Sequence, residues 1–337
     1  MLALQIMTAW DRIWVVGAGA VGSVLAAQLS RAGGPRALLV GRSAHWKAVC
    51  AGGLTFENGL QTAENGRQAA TLGGETGAVV AGAAMTIPDA ATTVRVETAA
   101  PETLPILAER DLVLLACKLT QLTEIAGWLR DRLGAGTALL AVQNGLGVDD
   151  LVSSALGRPP ERGLIYFGAH VTVPGRVRYF PGRVSFRSGP AAEVLARLLE
   201  GRIACDFAAD FRAAEWAKLA VNCLANPLAG ILRVPNAGLA DAALNPLKEA
   251  LLAEVRAVAA AEGVKLETTA ADFNAYITGP TGGNVPSLAI DLARGRETEI
   301  AHLNGAVVRL GMRHGIATPV NAAIVTMIQF LSMRGAT

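Results

Sequence analysis

The apolar positions change rhythm twice along this chain of 337 residues. As far as residue 142, short apolar runs alternate with helical stretches. Ile13-Trp14-Val15-Val16 reads as a buried strand, 22–31 as a helix stopped by Gly33-Gly34-Pro35, and Ala37-Leu38-Leu39-Val40 as the next strand. A less regular stretch follows, with strand-like pieces near Leu54-Thr55-Phe56. Residues 112–116 predict another buried strand, 121–133 a helix and 138–142 a further strand. This rhythm predicts a parallel, doubly wound sheet. Between 164 and 186, β runs are broken by Pro174-Gly175 and Pro181-Gly182, which predicts antiparallel additions at the sheet edge. After about Asp206 the pattern is almost entirely helical, with Ala-rich segments around 213–225, 247–262 and 300–314. The expected architecture is α/β: a doubly wound domain over 1–207, then an all-helical domain over 208–337.

The first candidate site lies at the opening strand–helix turn. Gly17-Ala18-Gly19-Ala20-Val21-Gly22 follows the first strand and opens the first helix. Glycines at that spacing keep the turn tight and let backbone N–H groups approach a pyrophosphate at the helix N-terminus. The N-terminal domain is therefore expected to be a Rossmann-type dinucleotide binder. Sites that prefer NAD usually carry an acid about 20 residues beyond the glycines, to hold the ribose hydroxyls. Here that region reads Val40-Gly41-Arg42-Ser43, and a guanidinium beside a hydroxyl suits a 2′-phosphate, so the expected cofactor is NADP(H). Lys118 and Asn144 each fall just past the end of a predicted strand, where open sheets bind ligands.

The helical half carries a second constellation. From Leu219 to Leu232 the chain is apolar apart from Asn222 and Asn226, and Lys218 precedes them at the same spacing. Positions i, i+4 and i+8 share one helix face. Two readings stand: a cleft-facing stripe for a small polar substrate, or a helix cap at Asn226-Pro227 with an inter-helix hydrogen bond at Asn222. A further polar set, Asn284, Ser287, Glu299 and Asn304, surrounds a helical stretch expected over 287–312. Within it, Asn284 and Ser287 are substrate candidates and Glu299 is the carboxylate to pair with Lys218.

Bulk properties narrow the classes. The chain is 52% hydrophobic and 17% charged, which excludes a disordered chain. Thirty basic against 28 acidic residues, net +2, leave no electrostatic footprint for nucleic acid or an anionic membrane. Four scattered cysteines without a CxxC pair fit a reducing compartment. The opening ten residues lack the basic start of a secretory signal, and no apolar run approaches the ~20 residues of a spanning helix, so a cytoplasmic location is expected. With four histidines and no HExxH, GxSxG or Cys/His metal spacing, no metal is expected.

The segment Glu215-Trp216-Ala-Lys218-Leu-Ala-Val-Asn222-Cys-Leu-Ala-Asn226-Pro227-Leu228 resembles the signature of the ketopantoate reductases. The glycine loop, Gln143-Asn144-Gly145, Pro174-Gly175-Arg-Val, Val234-Pro235-Asn236, Ser287 with Asp291, Thr298-Glu299-Ile300, Leu303-Asn304-Gly305 and His314-Gly315-Ile316-Ala-Thr-Pro319-Val-Asn321 agree in order, over roughly 12–322. The resemblance implies NADPH-dependent reduction of 2-dehydropantoate to pantoate, a step of pantothenate biosynthesis, by hydride transfer to the C2 carbonyl. It implies Lys218 as general acid, assisted by Glu299. Asn144, Asn222, Asn226, Asn236 and Ser287 would contact substrate. Gly17, Ala18, Gly19, Ala20, Val21, Gly22, Arg42, Lys118, Asn144, Ala169 and Glu299 would contact cofactor. Two departures stand out: Ala301-His302 where the family often has Asp two residues after the Glu, and Arg187-Ser188-Gly189 for the usual Ile-Gly. The expected partners are a small 2-keto acid and at most a second copy of the chain, as a homodimer. A paralogous reductase of another small 2-keto acid, or a catalytically silent NADP-binding redox sensor, remain the alternatives.

Overall fold

The computed structural model describes residues 10–59, 92–279 and 281–334; the first nine residues of the opening segment lie outside them. The chain divides into two compact units. The first takes in the described parts of 1–59, 80–143 and 147–208, the second 144–146 and the described parts of 209–337.

In the first unit, strands β1 (Arg12–Val16), β2 (Arg36–Val40), β5 (Glu97–Ala99), β6 (Asp111–Leu115), β7 (Ala138–Ala141), β8 (Glu161–Ile165), β11 (Arg183–Phe186) and β12 (Ala204–Phe207) form one sheet. Their order is β12-β11-β8-β7-β6-β1-β2-β5, and β1 lies between β2 and β6, parallel to both. From β5 to β8 all neighbours are parallel, with crossovers running outward in both directions from β1. This is the doubly wound arrangement, and its switch point falls between β1 and β6. The apolar run in β1 is explained by burial on both faces. Ile13 and Val15 join a core with α1 (Ala20–Ser30) and α5 (Pro190–Leu198), whereas Trp14 and Val16 join one with α3 (Leu122–Leu129) and α4 (Val148–Leu156).

The expected antiparallel edge additions are only half right. β11 pairs antiparallel with β8 and extends the main sheet. β9 (Gly168–Val173) and β10 (Arg176–Phe180) instead leave it, and build a second sheet with β3 (Leu54–Asn58) and β4 (Thr93–Val94) in the order β4-β3-β10-β9. The physical reason lies in β10, which buries Val177, Tyr179 and Phe180 with Phe56 of β3 and packs against α1. Period-two alternation marks a strand but not the sheet it joins.

The second unit is helical: α6 (Phe211–Leu232), α7 (Asn245–Ala261), α8 (Ala270–Ile277), α9 (Ser287–Ala293), α10 (Asn304–His314) and α11 (Pro319–Arg334). Asp210 caps α6 by accepting from the Ala213 N–H at 3.0 Å. The helix runs on through Pro227 to Leu232, so Asn226-Pro227 does not end it. The stretch expected to be helical over 287–312 is broken. α9 stops at Ala293, Gly295 takes φ 59°, Arg296 pairs with the buried Asp291 at 2.8 Å, and Glu299 precedes a short 3₁₀ turn, Ile300–His302. Among the described residues no helix is long and apolar enough to cross a membrane.

Candidate active site

The three loop glycines have three different reasons to be glycine. Gly17 takes φ 112°, and a Cβ there would overlap the backbone N of Cys117 and lie 2.6 Å from its Cα, so the β1 turn passes directly against the end of β6. A Cβ on Gly22 would overlap the carbonyl oxygen of Gly17, so the first turn of α1 packs against the loop. Gly19 is the reverse: nothing lies within 4 Å of its Cβ position. Gly19 is also the N-cap of α1, with no side-chain cap and no acid in the first turn. Ala20 and Val21, inside that first turn, therefore offer N–H groups with a free approach, which suits a dianionic pyrophosphate. The loop fits a dinucleotide.

The ends of neighbouring strands converge on this turn. A Cβ on Gly41 would sit 2.6 Å from the Cβ of Ala18, so the chain leaving β2 brushes the glycine loop before reaching Arg42. Arg42 is exposed, with the carboxylates of Glu102 at 3.4 Å and Glu124 at 3.6 Å. Ser43 next to it caps α2 (Ala44–Gly52), its hydroxyl accepting from the Trp46 N–H at 3.1 Å. Lys118 follows β6 and stands, half-buried, at the N-cap position of a 3₁₀ turn over Leu119–Gln121. Asn144, half-buried, follows β7 and groups with the helical unit. Ala169 lies in β9, which packs against α1.

Residues behind this rim escaped the sequence reading. Gln143 donates to the Cys117 Sγ at 3.4 Å, linking the ends of β6 and β7. The fully buried Arg162 donates to the Ala141 carbonyl at 3.1 Å, with the Asp149 carboxylate 3.6 Å away. An arginine directly before the apolar Gly163-Leu164-Ile165 of β8 was the available signal. His45, buried in α2, accepts the Gly175 N–H at Nδ1 (3.0 Å), which puts its proton on Nε2, facing Ser23 Oγ of α1 at 3.0 Å.

Burial pushes the His45 pKa below the usual histidine value. The unfolded chain then binds a proton more readily than the native one. Stability from neutral His45 is held in full above about pH 6.5 and is lost as pH falls through the lower native value. Tm followed between about pH 5 and pH 7.5 should therefore drop on the acid side, and His45→Gln should flatten that drop. An unchanged acid slope in the variant would assign the loss to other groups.

In the second unit, α6 presents Lys218, Asn222 and Asn226 along one face, with Lys218 and Asn226 half-buried. Asn222 is 6% exposed, and its Nδ2 has no hydrogen-bond partner among the described residues. The inter-helix hydrogen bond offered as its plain explanation is therefore not made by that atom. Asn236 and Asn284 are brought together: the Asn236 N–H donates to the Asn284 carbonyl at 3.0 Å and its Nδ2 to the Thr281 carbonyl at 3.1 Å. The side-chain oxygens of both are buried without a partner among the described residues. Orphaned buried amides cost roughly 1–3 kcal/mol each, a cost that a polar ligand removes. A buried lysine holds the Asn236 segment from below. Lys248 donates to the Leu239 carbonyl (2.8 Å), the Asp241 carbonyl (3.2 Å) and Asn274 Oδ1 (2.6 Å), and burial pushes its pKa down.

Ser287 is exposed at the first residue of α9, which packs on α6 through Leu288, Ala289 and Leu292 around Gly230. Glu299 is half-buried. Asn304 belongs elsewhere. It is fully buried and its Nδ2 is spent on the Cys223 carbonyl at 3.0 Å and Asn321 Oδ1 at 2.9 Å, while its Oδ1 is buried without a partner among the described residues; those bonds tie it to the helix bundle.

A glycine-cradled helix N-terminus at the switch point of a doubly wound sheet suits a dinucleotide, and the relatives this chain matches make it an NAD(P)-dependent oxidoreductase acting on a CH–OH/C=O pair. Comparison with known proteins makes this specific. Residues 13–192 match the family model described as ketopantoate reductase PanE/ApbA, and 210–332 match its C-terminal counterpart. The 2-dehydropantoate 2-reductase of Vibrio cholerae is 33% identical over 251 residues, covering 68% of this chain and 80% of that one. The crystal structure of a PanE/ApbA family ketopantoate reductase from Ralstonia eutropha JMP134 superposes with a TM-score of 0.77 at 27% identity, covering 96% and 99%. A D-mandelate dehydrogenase solved with NADH and anilino(oxo)acetate shares the fold at TM-score 0.77 and 23% identity, covering 96% and 99%. The chain belongs to the ketopantoate reductase PanE/ApbA family.

Proposed function

We propose that this protein reduces 2-dehydropantoate (ketopantoate) to pantoate with NADPH, in the cytoplasm. The observation that carries the reading is the set of buried amide atoms of Asn222, Asn236 and Asn284 that have no partner among the described residues, in the unit that also holds Lys218. A compact molecule with a carboxylate, a carbonyl and a hydroxyl supplies acceptors and a donor to such a set. Among the described residues the four cysteines form no disulfide, which supports a reducing compartment.

When bound, the nicotinamide supplies the hydride that reaches C2. The Lys218 ammonium polarises the C2 oxygen and donates its proton there as the alkoxide develops, and the neutral amine regains a proton from solvent. Glu299 sets the position and charge of Lys218. Ser287 and the asparagines hold the carboxylate and hydroxyl, so that orientation and preformed dipoles supply most of the acceleration. The experiment is a panel of 2-keto acids with and without a hydroxyl: ketopantoate should have the highest kcat/KM. Preference for another keto acid would favour a paralogous activity.

Arg42 and the absence of an acid at the end of β2 support NADPH over NADH. A 2′-phosphate would take the place of Glu102 and Glu124, whose exposed pairs are worth only about 0–1 kcal/mol. Arg42→Ala should cost about 1.5–3 kcal/mol of that contact, a ten- to hundredfold loss of discrimination expressed mainly in the NADPH KM. Equal use of both cofactors by the unmutated protein would refute the assignment.

Ser287→Ala should raise the keto-acid KM far more than it lowers kcat, because the carboxylate keeps its charge throughout the reduction. A collapse of kcat at constant KM would mean that Ser287 acts on the reacting oxygen instead.

A further inference from the structure

α6 contains a proline at 227, in its interior. Each helical N–H donates to the carbonyl four residues back, and proline has no N–H, so the bond from 227 to the Cys223 carbonyl is missing. Cys223 is fully buried, where water cannot replace that donor. The donor comes from another helix: Asn304 Nδ2 of α10 meets the Cys223 oxygen at 3.0 Å. The same amide reaches Asn321 Oδ1 of α11 at 2.9 Å. Asn321 in turn donates to Glu254 of α7 at 2.7 Å, and that carboxylate also accepts the Val320 and Asn321 N–H groups at 2.8 and 2.9 Å. Asn304 and Asn321 are both fully buried. A chain of hydrogen bonds thus ties this carbonyl through Asn304 to two further helices, and the missing bond lies in the turn that separates Asn222 from Asn226.

We propose that Asn304 is a positioning residue, which replaces the main-chain bond removed by Pro227 and so holds Asn222 and Asn226 in register for the keto acid. This rests on the substrate-site reading above. Nothing in the sequence links positions 227 and 304; the carbonyl between them does.

The test is a double-mutant cycle of Asn304→Ala and Pro227→Ala, reading Tm, NADPH Kd, keto-acid KM and kcat. Asn304→Ala should raise the keto-acid KM about tenfold, the equivalent of one unsatisfied buried group, while NADPH Kd stays within about twofold. Pro227→Ala restores an N–H for Cys223, so in the Asn304→Ala background it should recover at least about threefold of that KM and part of the Tm. If Asn304→Ala does not fold, a folded double variant supports the proposal and an unfolded one overturns it. Additive effects overturn it, as does a lowered Tm with unchanged KM, the mark of a merely structural asparagine. A parent protein that reduces no keto acid speaks against the substrate reading instead, and the coupling of the two Tm shifts still tests the link between 227 and 304.

Discussion

Lys218→Ala should lower kcat by about 10²–10⁴, the range for removal of a positioned general acid, with NADPH Kd near that of the parent. A lysine ammonium held at the C2 oxygen can give its proton to the developing alkoxide. The loss belongs in kcat because the C2 oxygen carries full negative charge only as the hydride arrives. Glu299→Ala should also cost rate, and the double variant should lose less than the product of the singles, because two groups acting through one proton are not independent. Near-full kcat in Lys218→Ala with NADPH bound would return the α6 stripe to a structural role.

Gly17→Ala should be the most damaging change in the first unit, and Gly19→Ala should separate folding from binding. At Gly17 the new Cβ meets a φ of 112° and overlaps the Cys117 backbone, which no side-chain rotation relieves. Strain at such a φ costs about 1–3 kcal/mol, and forced overlap adds about 1–3 more. The end of β6 must move, and Lys118 moves with it, so NADPH Kd should rise about a hundredfold or more and Tm should fall by several degrees. At Gly19 the Cβ enters open space, so Tm should hold within about 2 °C. That space is where a pyrophosphate would lie, so NADPH Kd should still rise about tenfold or more. Parental NADPH affinity in Gly19→Ala would mean that the cofactor does not approach this face.

The parts of the fold readable from sequence were those where one local pattern has one solution. The apolar run of β1, the glycines after it and the helix that follows constrain each other within about 20 residues, as dinucleotide-binding turns do. Lys118 and Asn144 could be placed because the ends of parallel strands share one side of the sheet. Lys218, Asn222 and Asn226 could be aligned because helical spacing is fixed. What stayed hidden depends on distant partners. β9 and β10 look like edge strands until β3, more than 100 residues earlier, appears beside them. The break after Ala293 rests on Gly295 and the Arg296–Asp291 pair, which an apolar periodicity does not register. By sequence Asn304 groups only with the polar set of Asn284, Ser287 and Glu299, because its use, the carbonyl orphaned by Pro227, lies 81 residues away. Arg162, Lys248 and His45 went unnoticed for the same reason: a buried charged or polar side chain is explained only by the carbonyls, amides and hydroxyls it meets.

The most direct test of the central claim is steady-state oxidation of NADPH by the unmutated protein in the presence of ketopantoate, followed by its loss of absorbance. The account predicts saturable oxidation dependent on both components, with a kcat/KM of about 10⁴ M⁻¹s⁻¹ or higher and one pantoate formed per NADPH consumed. A protein that binds NADPH tightly yet oxidises it no faster with ketopantoate than without it would contradict the account.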